Sequence, residues 1–194
     1  MVITSLLVSA LLWLLSLDGR SRFWLERWIA YFFWLVVACA LLHDFYLAYQ
    51  QYQFWAQGGA TRYLLPEYQP RFFIIYTASR FFADEIVALV LALFWLGTLK
   101  RVNAQSGGVF FERGEPHLAA TAFFLTGFPG LLFYIPLLAF VYFLWHVWVL
   151  KRKKRRGERL PLYSLWPFVG LATILISEFW LKETAWWSKL VFSR

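Results

Sequence analysis

One stretch decides the fold: Leu118–Arg159, LAATAFFLTGFPGLLFYIPLLAFVYFLWHVWVLKRKKRRGER. Leu118–Leu150 carries no Asp, Glu, Lys or Arg over 33 residues. As one helix it would be ~50 Å long at about 1.5 Å per residue, against a hydrocarbon core of about 30 Å. Gly127-Phe128-Pro129-Gly130 gathers turn-forming residues inside the run. The stretch therefore reads as a short helix, Leu118–Thr126, followed by a full span, Leu131–Leu150. Behind the span, Lys151–Arg156 and Arg159 supply seven of the nineteen basic residues. Such a cluster beside a spanning helix reads as a cytoplasmic anchor on anionic lipid. It lies in one short turn between membrane segments and offers no groove or helix to a duplex, so nucleic acid is not an expected partner.

Composition agrees with lipid as the solvent. Of 194 residues, 61% are hydrophobic, 22% aromatic and 15% charged, with a net charge of +8. Soluble domains run about 45–50% apolar and about 25% charged. Folding this chain in water would expose far more apolar surface than monomers tolerate. The length suits one membrane domain, residues 1–194, with no room for a sizeable soluble one. Cys39, the only cysteine, sits in the apolar run Val36–Leu42 and reads as a buried, inert thiol. It excludes an internal disulfide and a cysteine zinc site. His43, His117 and His146 are too scattered to form a metal motif, and no cofactor is expected.

Outward from that stretch, the segments follow. Val2–Leu17 lacks a basic n-region before it and an A-x-A site after it, so it reads as a retained first helix. Asp18-Gly19-Arg20-Ser21-Arg22 is a turn, and Phe23–His43 is the second segment. Asp44–Arg71, rich in Gln and Tyr, predicts an interfacial helix and a loop. Phe72–Leu99 is the third segment, interrupted by Arg80, Asp84 and Glu85. Arg80 and Asp84 are four apart and are expected to pair on one helix face. A polar loop, Lys100–His117, precedes the short helix. A last span covers about Tyr163–Leu181, with Trp186-Trp187 beyond it as an interfacial anchor. The predicted fold is all-α, a polytopic transmembrane bundle of about five or six segments: 2–17, 23–43, 72–99, 118–126, 131–150 and 163–181.

The break at Gly127–Gly130 also fixes the expected orientation. With it, Arg20, Arg22, Arg27, Lys100, Arg101 and Arg113 join the basic loop on one side, leaving Arg62, Arg71, Lys182, Lys189 and Arg194 opposite. Without it, the cations divide evenly. The positive-inside bias favours the break and predicts a plasma (inner) membrane protein with Lys151–Arg159 in the cytoplasm.

Ionisable groups at membrane depth are costly and default to a functional hypothesis. Here they are Asp44, Asp84, Glu85, Glu115 and Glu178. Asp44 closes one apolar helix (VVACALLHDF) and Glu115 opens another (RGEPHLAATAFF). Two carboxyls sharing a proton hydrolyse peptides, one activating water while the other protonates the carbonyl oxygen. The plain alternatives are an interfacial acid at Asp44 and, at Glu115, a first-turn acid favoured by the helix dipole beside Pro116. Glu115 and the basic loop share a side. If Phe72–Leu99 crosses once, Asp44 lies opposite them, and its nearby partner is Asp84 or Glu85.

The order SGG…RGEPHLAATAFFLTGFPGLLF, an apolar span, KRKKRRGER and LPLYSLWPFVGLATIL resembles the C-terminal half of type IV prepilin peptidases, membrane aspartic proteases that also methylate pilin N-termini. His117-Leu118-Ala119 falls where that family has Lys-Leu-Ala. Leu160-Pro161-Leu162-Tyr163 and Pro167-Phe168 fall near its Pro-Phe-Gly-Pro-Phe element. Asp44-Phe45 resembles the position of its first aspartate. The resemblance implies an aspartic-type endopeptidase acting on membrane-inserted prepilin-like leader peptides, with Asp44 and Glu115 as catalytic acids. Its partners would be the lipid bilayer and a leader-peptide helix. The departures are Glu115 in place of the GxGD aspartate, Glu112 in place of a glycine, Gln50-Gln51-Tyr52 where Ile-Pro-Asp follows the first aspartate, and no cysteine-rich loop. One extra methylene displaces a carboxylate by more than the ~0.5 Å a preorganised site tolerates. The alternative is therefore a non-catalytic membrane protein, either a pseudoenzyme or an interaction subunit.

Overall fold

The computed structural model describes residues 2–17, 19–153, 162–184 and 187. Among them the protein is all-α. Its helices are α1 (Val2–Leu17), α2 (Gly19–Gln57), α3 (Pro70–Thr77), α4 (Ala83–Gln105), α5 (Glu115–Thr126), α6 (Leu131–Lys153) and α7 (Leu165–Phe179). A π-helical turn, Ala78–Phe82, joins α3 to α4. Four stretches are long and apolar enough to cross a membrane: Glu26–Gln57, Pro70–Gln105, Leu131–Val149 and Leu165–Glu183. The α1 helix is apolar but shorter.

The α5 helix is the axle of the bundle. Its apolar residues run all round its surface, so it must be buried: Leu118, Ala119, Ala120, Thr121, Ala122, Phe123 and Phe124 are all inaccessible. Small residues set how closely its neighbours approach. A Cβ on Gly170 of α7 would meet the Ala122 methyl at 3.4 Å. Larger rings fill the remaining gaps, Phe124 against Phe33 of α2 and Phe123 stacked on Trp95 of α4. On the far side α1 packs along α7, with the Trp13 and Phe168 rings 5.5 Å apart. Buried hydroxyls bond back to their own helices, as Thr121 to the His117 carbonyl and Thr173 to that of Val169. The outer face of α6 (Phe140, Phe143, Trp145, Trp148) is exposed, as suits a helix facing lipid.

The predicted break between the short helix and the full span is present. Gly127 ends α5 with φ 63°, and α6 restarts at Leu131. Elsewhere the structure corrects the sequence reading. The second segment does not stop at His43: α2 runs 39 residues to Gln57. Nothing between Asp44 and Gln57 breaks a helix, and Gln50 and Gln53 donate to the Tyr46 and Tyr49 hydroxyls one turn back. The pair Gly58-Gly59 ends it. Arg80 does not pair with Asp84, because the π turn shifts the four-residue register between them. Cys39 is exposed from the protein rather than buried. Trp187 is buried against Phe133 rather than held at an interface. Trp186 and the loop from Lys154 to Arg159 lie outside the described residues.

Candidate functional site

The loop before α5 is built by one side chain. Asn103, in the last turns of α4, accepts from the Phe110 and Phe111 amides through Oδ1 (3.2 and 2.9 Å) and donates through Nδ2 to the Phe111 carbonyl (3.2 Å). Gly107 and Gly108 take positive φ, 66° and 76°, to turn the chain back towards Asn103. The chain then enters α5 through Gly114, whose φ of 88° is open only to glycine at low cost. A Cβ there would sit 3.1 Å from Glu26 Cα and 3.2 Å from the Glu26 carbonyl oxygen. Gly114 therefore lets the start of α5 press against the backbone of α2.

Glu115 follows as the first residue of α5, with Pro116 next, and is 3% exposed. Its two oxygens have separate donors. The Trp166 indole Nε1–H donates to Oε1 (2.9 Å), and the Glu112 amide donates to Oε2 (2.9 Å). The Trp166 carbonyl in turn accepts from the Tyr134 hydroxyl at 3.0 Å. Glu115 thus ties α5 to α7 and, through Tyr134, to α6. Two residues further, burial and then the Lys100 charge hold the His117 imidazole below its ordinary value. Sequence reasoning found Glu115 but missed Asn103 and Trp166. The signal for Asn103 was a polar amide just before Ser106-Gly107-Gly108. Trp166 gave none beyond its place among many tryptophans.

Asp44 is not brought to this site. Gly114 touches α2 at Glu26, and Asp44 lies eighteen residues further along the same unbroken helix. At about 1.5 Å per residue that separates them by ~27 Å, nearly one hydrocarbon core. The expected Asp44–Glu115 dyad on one water does not form. Its physical reason is that Pro70–Gln105 passes through as a single rod, the π turn keeping right-handed helical angles at both ends.

Asp44 belongs instead to a second cluster at the opposite end. It is 2% exposed, with His43 Nδ1 at 3.6 Å from Oδ1 and no hydrogen-bond partner for Oδ2. Phe45 packs on Phe82, which brings the start of α4 alongside. His43, Asp84 and Glu85 line one end of a cavity of about 460 Å³ whose remaining wall is mostly apolar. Glu178 stands apart from both clusters and pairs with Lys182 one turn on. Among the described residues no group of three or more His, Cys, Asp or Glu is arranged to hold a metal ion. Compared with known protein families, curated proteins and solved structures, the chain matches none.

Proposed function

We propose that this chain is a plasma-membrane protein of the prepilin-peptidase type, an aspartic-type endopeptidase for membrane-inserted leader peptides, with Glu115 as the acid of its site. One observation carries the reading: Glu115 is buried at the start of a short central helix, presented by a glycine because the α2 backbone leaves room there for no larger residue. This supports the resemblance at the point where that family keeps its second aspartate. The second acid then comes from the α1–α2 end rather than from Asp44. Glu26 is the described candidate. Asp18 precedes Gly19 in sequence and lies outside the described residues. In this reading one carboxylate activates water, the other protonates the scissile carbonyl, and the loop Lys151–Arg159 faces the cytoplasm.

A second reading is a non-catalytic member of the same architecture. It is favoured by the hydrogen bonding of Glu115, whose two oxygens already accept from Trp166 and Glu112, as a structural clamp would. Reconstituted protein, incubated in vesicles with a prepilin-like peptide, separates the two. Cleavage that stops in Glu115→Gln and in one of Asp18→Asn or Glu26→Gln, and persists in Asp44→Asn, is the outcome expected of the peptidase. Absence of cleavage by the unaltered protein, or cleavage that survives Glu115→Gln, sinks it.

A further inference from the structure

Glu115 is covered by the loop that leads into it. Phe111 lies against the Trp166 indole, their ring centroids 6.5 Å apart, and the next residue, Glu112, donates its amide to Glu115 Oε2 at 2.9 Å. Both residues ride on a short segment, Val109–Arg113, bounded by glycines of positive φ: Gly107 and Gly108 before it and Gly114 after it. Glycine passes between backbone regions closed to other residues, so the chain can rotate there at low cost. The segment buries little of its own surface. Val109 and Phe110 are exposed, and nothing lies within 4 Å of where a side chain would start at Gly107 or Gly108. Asn103 ties the segment to α4 through the Phe110 and Phe111 amides and the Phe111 carbonyl. A segment with few buried apolar contacts opens at a free energy well below that of global unfolding.

We propose that Val109–Arg113 is a lid over Glu115, latched by Asn103 and hinged at Gly107-Gly108 and Gly114. Closed, it lays Phe111 on Trp166 and fills the Oε2 position with its own amide, and the carboxyl is shut off from water. Open, it frees Oε2 while the Trp166 indole still holds Oε1. The ground vacated by Phe111 then admits an extended peptide, whose backbone amide takes the place of that of Glu112. As access control over a catalytic acid, the lid rests on the peptidase reading. As a movement of the loop it does not, and the test reads that movement without any cleavage.

The test holds the full chain in nanodiscs at pH 7 and follows two quantities by mass spectrometry. One is hydrogen exchange in the peptide spanning 107–114. The other is labelling of Glu115 by a membrane-permeant carbodiimide, which modifies the carboxyls it can reach. Both need the same opening, so the two rates should move together. In the unaltered protein Glu115 should label far more slowly than Glu183, which is exposed. Asn103→Ala should raise exchange and Glu115 labelling by the same factor, at least about 10-fold, the equivalent of ~1.4 kcal/mol. Asn103→Asp keeps the acceptor for two amides but loses the donor, and should fall in between. Gly108→Ala strains the closed φ of 76° without touching a neighbour, so it should act in the same direction from the hinge even if Asn103→Ala fails to fold. Labelling of Asp44, further along α2, should stay constant throughout. Exchange that rises without Glu115 labelling overturns the proposal, since the loop is then not what covers the acid. So does Asp44 labelling that rises in step with Glu115, the mark of a bundle loosened as a whole, or Glu115 labelling as fast as Glu183 in the unaltered protein. Failure of the unaltered protein to cleave a peptide leaves these rates as they are, so the lid and the peptidase reading fail separately.

Discussion

Gly114→Ala tests the contact on which the separation of the two acid clusters rests. The substitution acts twice. First, an alanine at φ 88° is strained by about 1–2 kcal/mol. Second, its methyl would lie 3.1 Å from Glu26 Cα, 3.2 Å from the Glu26 carbonyl oxygen and 3.2 Å from Ile29 Cγ2. Two of those atoms are backbone, so relief requires α5 to move off α2, an overpacking cost of about 1–3 kcal/mol. The sum is about 3 kcal/mol. For a chain of this size, 1 kcal/mol shifts Tm by about 2–4 °C, so a fall of ~6–12 °C is expected. Gly107→Ala is the internal control. It has φ 66° but nothing within 4 Å of the added methyl, so it incurs only the first cost. Thermal unfolding in detergent, followed by tryptophan fluorescence, gives both values side by side. If Gly114→Ala falls no further than Gly107→Ala, the close approach at Glu26 is absent. The ~27 Å separation of Asp44 from Glu115 then loses its anchor.

Three further outcomes are expected. Trp166→Phe removes the donor to a buried carboxylate, a bond worth about 1.5–3 kcal/mol, and lowers Tm in the same assay; an unchanged Tm means that the indole does not hold Glu115. His117 has its folded value depressed by burial and Lys100, so the unfolded chain binds its proton first. Stability from this group is fully present above the ordinary value of 6.5 and is lost as pH falls below that and through the depressed folded value. Unfolding midpoints between pH 8 and pH 5, compared with those of His117→Gln, should show a component that vanishes in the variant. In a Cys39→Ala background, cysteines at the exposed positions Tyr46 and Arg113 should react with a membrane-impermeant maleimide from opposite faces of sealed vesicles. Reaction of both from one face would mean that Pro70–Gln105 turns back.

Much of the bundle was legible because the membrane leaves few solutions. Apolar length fixes which helices can span, and Gly127 with Pro129 fixes where the long run must break. The positions of α5, α6 and α7 followed from those two facts. The limits of α2 did not, since polar Gln and Tyr in Asp44–Gln57 read as an end of the membrane segment, while a helix ends only where its backbone is broken. Gly58-Gly59 was the signal, and the polarity of the preceding residues distracted from it. The π turn at Ala78–Phe82 and the loop-building role of Asn103 depend on contacts between distant residues, which no local pattern carries.

The acid clusters show the same division on the functional side. That Asp44 and Glu115 each end an apolar helix is a local expectation, and only Glu115 does, since α2 runs on past Asp44 to Gln57. Whether two helix ends meet depends on the parity of crossings between them, and one ambiguous segment, Phe72–Leu99, decided it. A π turn carries the chain onward where a loop would have reversed it. The consequence is chemical. One acid end has a tryptophan donor, a helix N-terminus and the α1–α2 end beside it, and suits a carboxylate held in a fixed place. The other has an apolar cavity beside it and a buried Asp44 oxygen that accepts no hydrogen bond. A bundle with one end of each kind needs no dyad across the membrane. The two ends are instead separate clusters, and Glu115→Gln bears on the first alone.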